Sequence, residues 1–139
     1  MQKIILDTNV VVSSLIQRCY PYKIIYELFV DDKFLLFVSE ELISEYYDVL
    51  SRPKFAKFPD FFGKAESLLA DIETKSKKVK PTLKLDLISD KDDKMVLELA
   101  DECMADFIIT GNTNDFTFSA YKQKKIVNPK EYWENHAPK

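Results

Sequence analysis

Lys3-Ile4-Ile5-Leu6-Asp7-Thr8-Asn9 is a short apolar run that stops on a carboxylate. A run this short, bounded by the turn-forming pair Thr8-Asn9, reads as a strand buried on both faces. Asp7 then stands at the strand's carboxyl end, where an ionised group needs a partner. Residues 10–17 are apolar without a clear period, and their place after a strand favours a helix.

The same alternation continues along the chain. Pro21 suits the first turn of a helix whose apolar residues Ile24, Ile25, Leu28 and Phe29 recur at helical spacing, and Asp31-Asp32 closes it. Residues 34–38 form a second buried strand. Ser39 can cap the next helix, which carries Leu42, Ile43, Tyr46, Val49 and Leu50 on one face and ends at Arg52-Pro53. Residues 55–62 form an aromatic connector; Ala65, Leu68, Leu69 and Ile72 mark a further helix up to about Thr74. Residues 76–87 read as a loop with a short strand. Residues 92–104 are the clearest helix, with Met95, Val96, Leu99, Ala100, Cys103 and Met104 on one face. Phe107–Ile109 is a third strong strand broken by Thr110-Gly111, and Lys125–Val127 is a last one before a small helix around Tyr132. Strands separated by helices predict an α/β domain with a mostly parallel sheet covered on both faces, one domain over residues 1–139.

Composition narrows the function classes. Hydrophobic residues are 46% and charged residues 31%, the balance of a globular domain. Only 2 Gly are present, which disfavours Gly-rich phosphate loops. A net charge of -3 argues against an overall basic nucleic-acid clamp but leaves room for a local basic patch. Cys19 and Cys103 lie among apolar residues and form no CxxC pair, so both are expected to pack as small hydrophobes. The early Asp7 argues against a signal peptide, and no run is long enough to span a membrane, so the expected location is a reducing cytoplasm. His136 is the only histidine, which disfavours His-based catalysis and His-rich zinc sites.

In open α/β sheets, ligands bind beyond the carboxyl ends of the strands. Asp7 ends the first strand, and Glu45 lies in the helix after the second, at three- and four-residue spacing from Glu41 and Asp48. Asp93 opens the helix before the third strong strand, with Asp90 and Asp92 beside it; Asn112, Asn114 and Asp115 follow that strand. Carboxylates converging at one edge repel unless a cation neutralises them. Oxygen ligands suit Mg²⁺ or Mn²⁺, which can activate water and stabilise an in-line phosphoryl transition state. Each residue also has an ordinary explanation: Asp7 as a turn cap, Glu45 as a solvated helix residue, Asp90, Asp92 and Asp93 as dipole complements, Asn112 and Asn114 as turn residues. Arg52, Lys54 and Lys57 among Phe55 and Phe58 suit either a nucleic-acid surface or an aromatic mini-core. Lys75, Lys77, Lys78 and Lys80 read first as a solvated face.

The segments Ile5-Leu6-Asp7-Thr8-Asn9-Val10-Val11-Val12-Ser13, Ser44-Glu45 through Arg52-Pro53-Lys54, Ser89-Asp90-Lys91-Asp92-Asp93, Ile109-Thr110-Gly111-Asn112 and Ile126-Val127-Asn128-Pro129 together resemble a bacterial PIN domain. They are most similar to the VapC-like toxin branch of toxin–antitoxin systems. The resemblance runs in order over essentially the whole chain. It implies a three-layer α/β/α sandwich and a Mg²⁺- or Mn²⁺-dependent ribonuclease that dimerises and is restrained by an antitoxin. It maps the family's acidic residues onto Asp7, Glu45 and Asp93 as metal ligands, with Asp90 and Asp92 as helpers. Thr8 and Asn9 match the turn that shapes the site, and Thr110 the strand-end hydroxyl. Where the family often has Thr-x-Asp, this chain has Thr110-Gly111-Asn112, so Asn112 or Asp115 must complete the set. An acidic site approaches RNA through basic residues on its rim, which gives Arg52 and Lys54 an RNA-binding role.

Two rivals stand against this reading. One is a non-catalytic PIN-like scaffold binding RNA or protein, which Asn112 favours. The other is a phosphoacceptor receiver or a dehalogenase-type phosphatase. The receiver wants an acid pair at the first strand end, and the phosphatase wants Asp-x-Asp there. Asp7-Thr8-Asn9 supplies neither.

Overall fold

The computed structural model describes residues 1–82, 91–111 and 125–138, and the backbone alone of residues 91–93 and 125. Its centre is β1 (Lys3–Leu6), in which Ile4, Ile5 and Leu6 are fully buried. β1 pairs in parallel with β2 (Leu35–Val38) on one side and β4 (Phe107–Ile109) on the other. β3 (Lys77–Lys78) continues beyond β2, and β5 (Lys125–Val127) beyond β4, in the order β3-β2-β1-β4-β5. Every pairing is parallel, which explains why the inner strands read as unbroken apolar runs.

From β1 the chain steps outward to β2 and β3, then crosses back to β4 and steps out the other way to β5. Right-handed crossovers in opposite directions put their helices on opposite faces, giving the three-layer α/β/α sandwich. The reversal also leaves a crevice at the carboxyl ends of β1 and β4, the place where such sheets take ligands.

The helices begin where the sequence offers caps. α1 (Thr8–Ile16) starts directly on Asp7, so Thr8 and Asn9 form its first turn rather than a separate one. α2 (Tyr20–Lys23), with Pro21 in its first turn, runs without a break into a π-helix over Ile24–Phe29 that buries Ile24, Ile25, Leu28 and Phe29. Ser39 caps α3 (Glu40–Leu50), its Oγ accepting from the Leu42 N–H at 3.1 Å. A 3₁₀ turn over Pro53–Lys57 leads to α4 (Phe61–Lys75), which draws Phe61 out of the expected connector. α5 (Lys91–Cys103) precedes β4, and α6 (Pro129–Asn135) follows β5, capped by Asn128.

Two expectations are corrected. Met104 is 71% exposed with a left-handed backbone, because α5 has already ended and the chain turns towards β4. Cys19 is exposed between α1 and α2, whereas Cys103 is buried. The short strand expected within residues 76–87 is Lys77–Lys78; residues 83–90 lie outside the described residues.

The placement of α5 matters for the site. Lys3 Nζ donates to the Cys103 carbonyl at 3.3 Å, and the Lys3 N–H to Asp106 Oδ2 at 2.8 Å. The end of α5 is thus pinned at the amino end of β1. As a crossover helix it runs antiparallel to the strands, so its first turn, with Asp92 and Asp93, comes to the carboxyl edge where Asp7 lies.

Candidate metal and nucleic-acid site

Asp7 leaves β1 in an extended conformation and caps α1 in the same step: its Oδ1 accepts from the Thr8 N–H at 2.9 Å. From the neighbouring strand end, Thr110 Oγ1 donates to Asp7 Oδ2 at 2.7 Å, and Thr110 is fully buried. Asn9 links the same groups. Its Nδ2 donates to Asp7 Oδ2 at 3.2 Å and to Thr110 Oγ1 at 3.4 Å, while its Oδ1 accepts from the Gly111 N–H at 2.9 Å. The ends of β1 and β4 are therefore tied together at the crevice through one carboxylate.

Glu45 joins from α3. The Thr8 hydroxyl donates to Glu45 Oε2. Thr8 thus bridges two carboxylates, its backbone N–H on Asp7 and its hydroxyl on Glu45. The adjacent Tyr46 is fully buried, and its hydroxyl donates to the Leu6 carbonyl at 2.5 Å, holding α3 against the end of β1. Burial, and then the charges of Asp7 and Glu45, push the Tyr46 phenol well above its ordinary range. Tyr46 was legible only as an apolar-face residue; nothing in its spacing shows where a hydroxyl points.

The structure thus brings together Asp7, Thr8, Asn9, Glu45 and Thr110, with the backbone of Asp92 and Asp93 at the same edge. Asp90, Asn112 and Asp115 lie outside the described residues. Glu41 and Asp48 do not join Glu45: both are exposed, and Asp48 instead pairs with Arg52 at 3.3 Å. Arg52 stands past the end of α3, roughly two turns from Glu45. Lys54 lies over the Phe55 ring at 5.2 Å. Phe55, Phe58 and Phe61 pack on one another, with the Phe55 and Phe61 rings stacked at 4.6 Å, so these aromatics make a mini-core.

The donor set is all oxygen: two carboxylates, two threonine hydroxyls and an amide. The nitrogen and sulfur ligands are elsewhere. His136 rests against Phe107 at the end of α6, where its carbonyl accepts from Gln2 before β1. Cys103 is at the far end of α5. This chemistry fits Mg²⁺ or Mn²⁺ and not a soft metal. Among the described residues, no three acidic, histidine or cysteine groups cluster for a metal.

The family model described as PIN domain matches residues 3–114, from the first residue of β1 to just past the end of β4. The chain belongs to the PIN domain family. PIN domains are generally nucleases, which places this one among hydrolases acting on nucleic acid, and such nucleases generally use divalent metals. Asp7, Thr8, Asn9, Glu45 and Thr110 all lie within the matched segment. No individual curated protein sequence matches the chain. No helix among the described residues is long and apolar enough to cross a membrane.

Proposed function

We propose that this PIN domain is a Mg²⁺- or Mn²⁺-dependent endoribonuclease, the toxin of a toxin–antitoxin pair. The observation that carries the catalytic part is the bridge of Thr8 between Asp7 and Glu45 at the crevice, locked from β4 by Thr110. The motif series shared with the toxin branch supports the toxin role, a cytoplasmic location, an antitoxin partner and a homodimer.

In this reading Asp7, Glu45 and Asp93 hold the ion, Asp90 and Asp92 assist at the start of α5, and Asn112 or Asp115 completes the oxygen set. The ion, when bound, supplies positive charge for the phosphoryl oxygens and acidifies a water. Thr110, Asn9 and the Thr8 N–H hold the Asp7 carboxylate in one orientation. The Thr8 hydroxyl does the same for Glu45, which ligates or positions the attacking water. No covalent intermediate forms, because no Ser-His or Cys-His pair serves the site. Arg52 and Lys54 act from the rim, and Arg52→Ala should weaken RNA binding and its salt dependence.

The test is cleavage of a panel of labelled single-stranded RNAs with Mn²⁺, with EDTA, and with Asp7→Asn. Metal-dependent cleavage lost in the variant is the expected result. RNA binding by the wild type, with no cleavage under any metal, would instead support the scaffold.

A further inference from the structure

A cleft of about 390 Å³ opens away from the acidic edge, where the end of α1 meets α2, the π-helix and the first turns of α4. Its lining includes Ser14, Gln17, Arg18, Tyr22, Tyr26 and Lys64. We propose that this cleft is a second RNA subsite, which holds a nucleotide of the strand whose phosphodiester lies at Asp7. Arg18 and Lys64 would meet phosphate oxygens and the Tyr22–Tyr26 pair a base. This rests on the ribonuclease reading above.

Charge is the first argument. Arg52, Lys75 and Lys78 each pair with a carboxylate, whereas neither Arg18 nor Lys64 pairs with any described acid, and both are exposed. Asp60 also lines the cleft, its carboxylate lying against Gly63 in the first turn of α4. The Arg18 guanidinium rests over the Tyr22 ring at 5.4 Å, a stacking that fixes its plane and leaves its N–H groups for an anion.

Aromatic geometry is the second. Tyr22 and Tyr26 are half-buried with ring centroids 4.7 Å apart, and Tyr26 sits in the π-helix. Such wide turns are rare and often mark functional positions. Cations beside aromatic faces are how single strands are held without reading their sequence.

Continuity is the third. α1 begins at the acidic edge and ends at the cleft. Asn9, Ser13 and Gln17 recur every four residues along its more open side, about 12 Å from first to last. α1 itself carries no charged residue. A polyanion can follow this stripe without meeting an acid of α1, and an acidic peptide confined to the cleft would have no reason to.

The test uses Glu45→Gln protein, to prevent turnover, with Mn²⁺ and a labelled single-stranded RNA of about twelve nucleotides carrying a photoreactive uridine. Arg18→Ala with Lys64→Ala should weaken binding about tenfold and flatten the plot of log affinity against log salt by about 1.4, since two phosphates are no longer neutralised. Crosslinks should map to Tyr22 or Tyr26. Unchanged affinity and slope, with crosslinks only near Asp7, would overturn the subsite and leave the ribonuclease standing. RNA that neither binds nor is cleaved by the wild type would sink both. Binding of an acidic peptide that the double variant loses, with RNA binding intact, would assign the cleft to a protein partner instead.

Discussion

Thr110 shows how much one hydroxyl carries. It is fully buried at the end of β4 and bonds Asp7 at 2.7 Å. Valine has nearly its shape, so Thr110→Val removes the hydroxyl, both the donor to Asp7 and the acceptor from Asn9 Nδ2. A hydrogen bond to a charged group is worth about 1.5–3 kcal/mol. If the bond orients Asp7 for the reaction, RNA cleavage should fall roughly 10- to 100-fold, with the fold intact by circular dichroism; unchanged turnover would remove Thr110 from the machinery. Tyr46 makes a second case, through pH. Its phenol is raised well above the ordinary 10.0 by burial and then by Asp7 and Glu45. Below that value both folded and unfolded chains keep the proton. As pH rises past it, the unfolded chain releases the proton first, so stability falls, by up to about 1.4 kcal/mol per pH unit, until the folded phenol also ionises. Burial raises Tyr132 in the same direction, so it adds to the alkaline loss. Urea midpoints across the alkaline range should show a shallower decline in Tyr46→Phe than in wild type, from a baseline about 1 kcal/mol lower. Equal slopes would mean Tyr46 ionises as an exposed phenol. Of these residues Asp7 and Thr110 were legible because polar groups ending apolar runs are conspicuous, whereas Glu45, inside α3, was picked out by its place after the second strand. α3 keeps Glu41 and Asp48 at the expected three- and four-residue spacing from Glu45, yet both are exposed, since neighbours on a helix need not all face the sheet.

At the level of elements, α3 delivers Glu45 and depends on its first turn. Ser39 is only 2% exposed, and its Oγ takes the Leu42 N–H, one of the donors a helix start otherwise leaves unpaired. Ser39→Ala should lower urea stability by about 1 kcal/mol, whereas Ser44→Ala, on the exposed side of the same helix, should change it by less than about 0.5 kcal/mol. Similar losses in both would mean the cap contributes nothing particular. Apolar runs and cap residues made the inner strands and α3 readable, since burial on both faces leaves no polar alternation to confuse the period. The π-helix was not readable. Ile24, Ile25, Leu28 and Phe29 face the core at spacings that a regular helix also satisfies, so periodicity cannot tell the wider turn from the narrower one. The start of α1 was hidden for a related reason. Thr8-Asn9 favours turns as well as helix starts, and the Asp7 cap decided between them. β3 escaped a firm reading because two lysines on a sheet edge have no hydrophobic pattern, although charge there protects the edge from pairing with other chains.

For the whole molecule, the acidic edge sets up a conflict that distinguishes a metal site from a structural cluster. Net charge is already -3, and Asp7, Glu45 and, under the proposal, Asp93 add their repulsion at one place. If these acids exist to hold a cation, the metal-free protein is strained by them. Neutralising one should then leave the metal-free fold as stable as before, or more so. The opposite holds if Asp93 mainly complements the α5 dipole, since losing that charge would lower stability by up to about 1 kcal/mol. Mn²⁺ separates the two further. An ion that binds only the folded state adds about 2.7 kcal/mol at a hundred times its dissociation constant. That should raise the wild-type melting temperature by roughly 5–10 °C for a domain of this size. Asp93→Asn should therefore melt at or above wild type in EDTA and below it in Mn²⁺, so the order of the two proteins reverses with the metal. A variant that melts below wild type by the same margin in both solutions would make Asp93 a structural residue and return the search for the third ligand to Asp90 and Asp92.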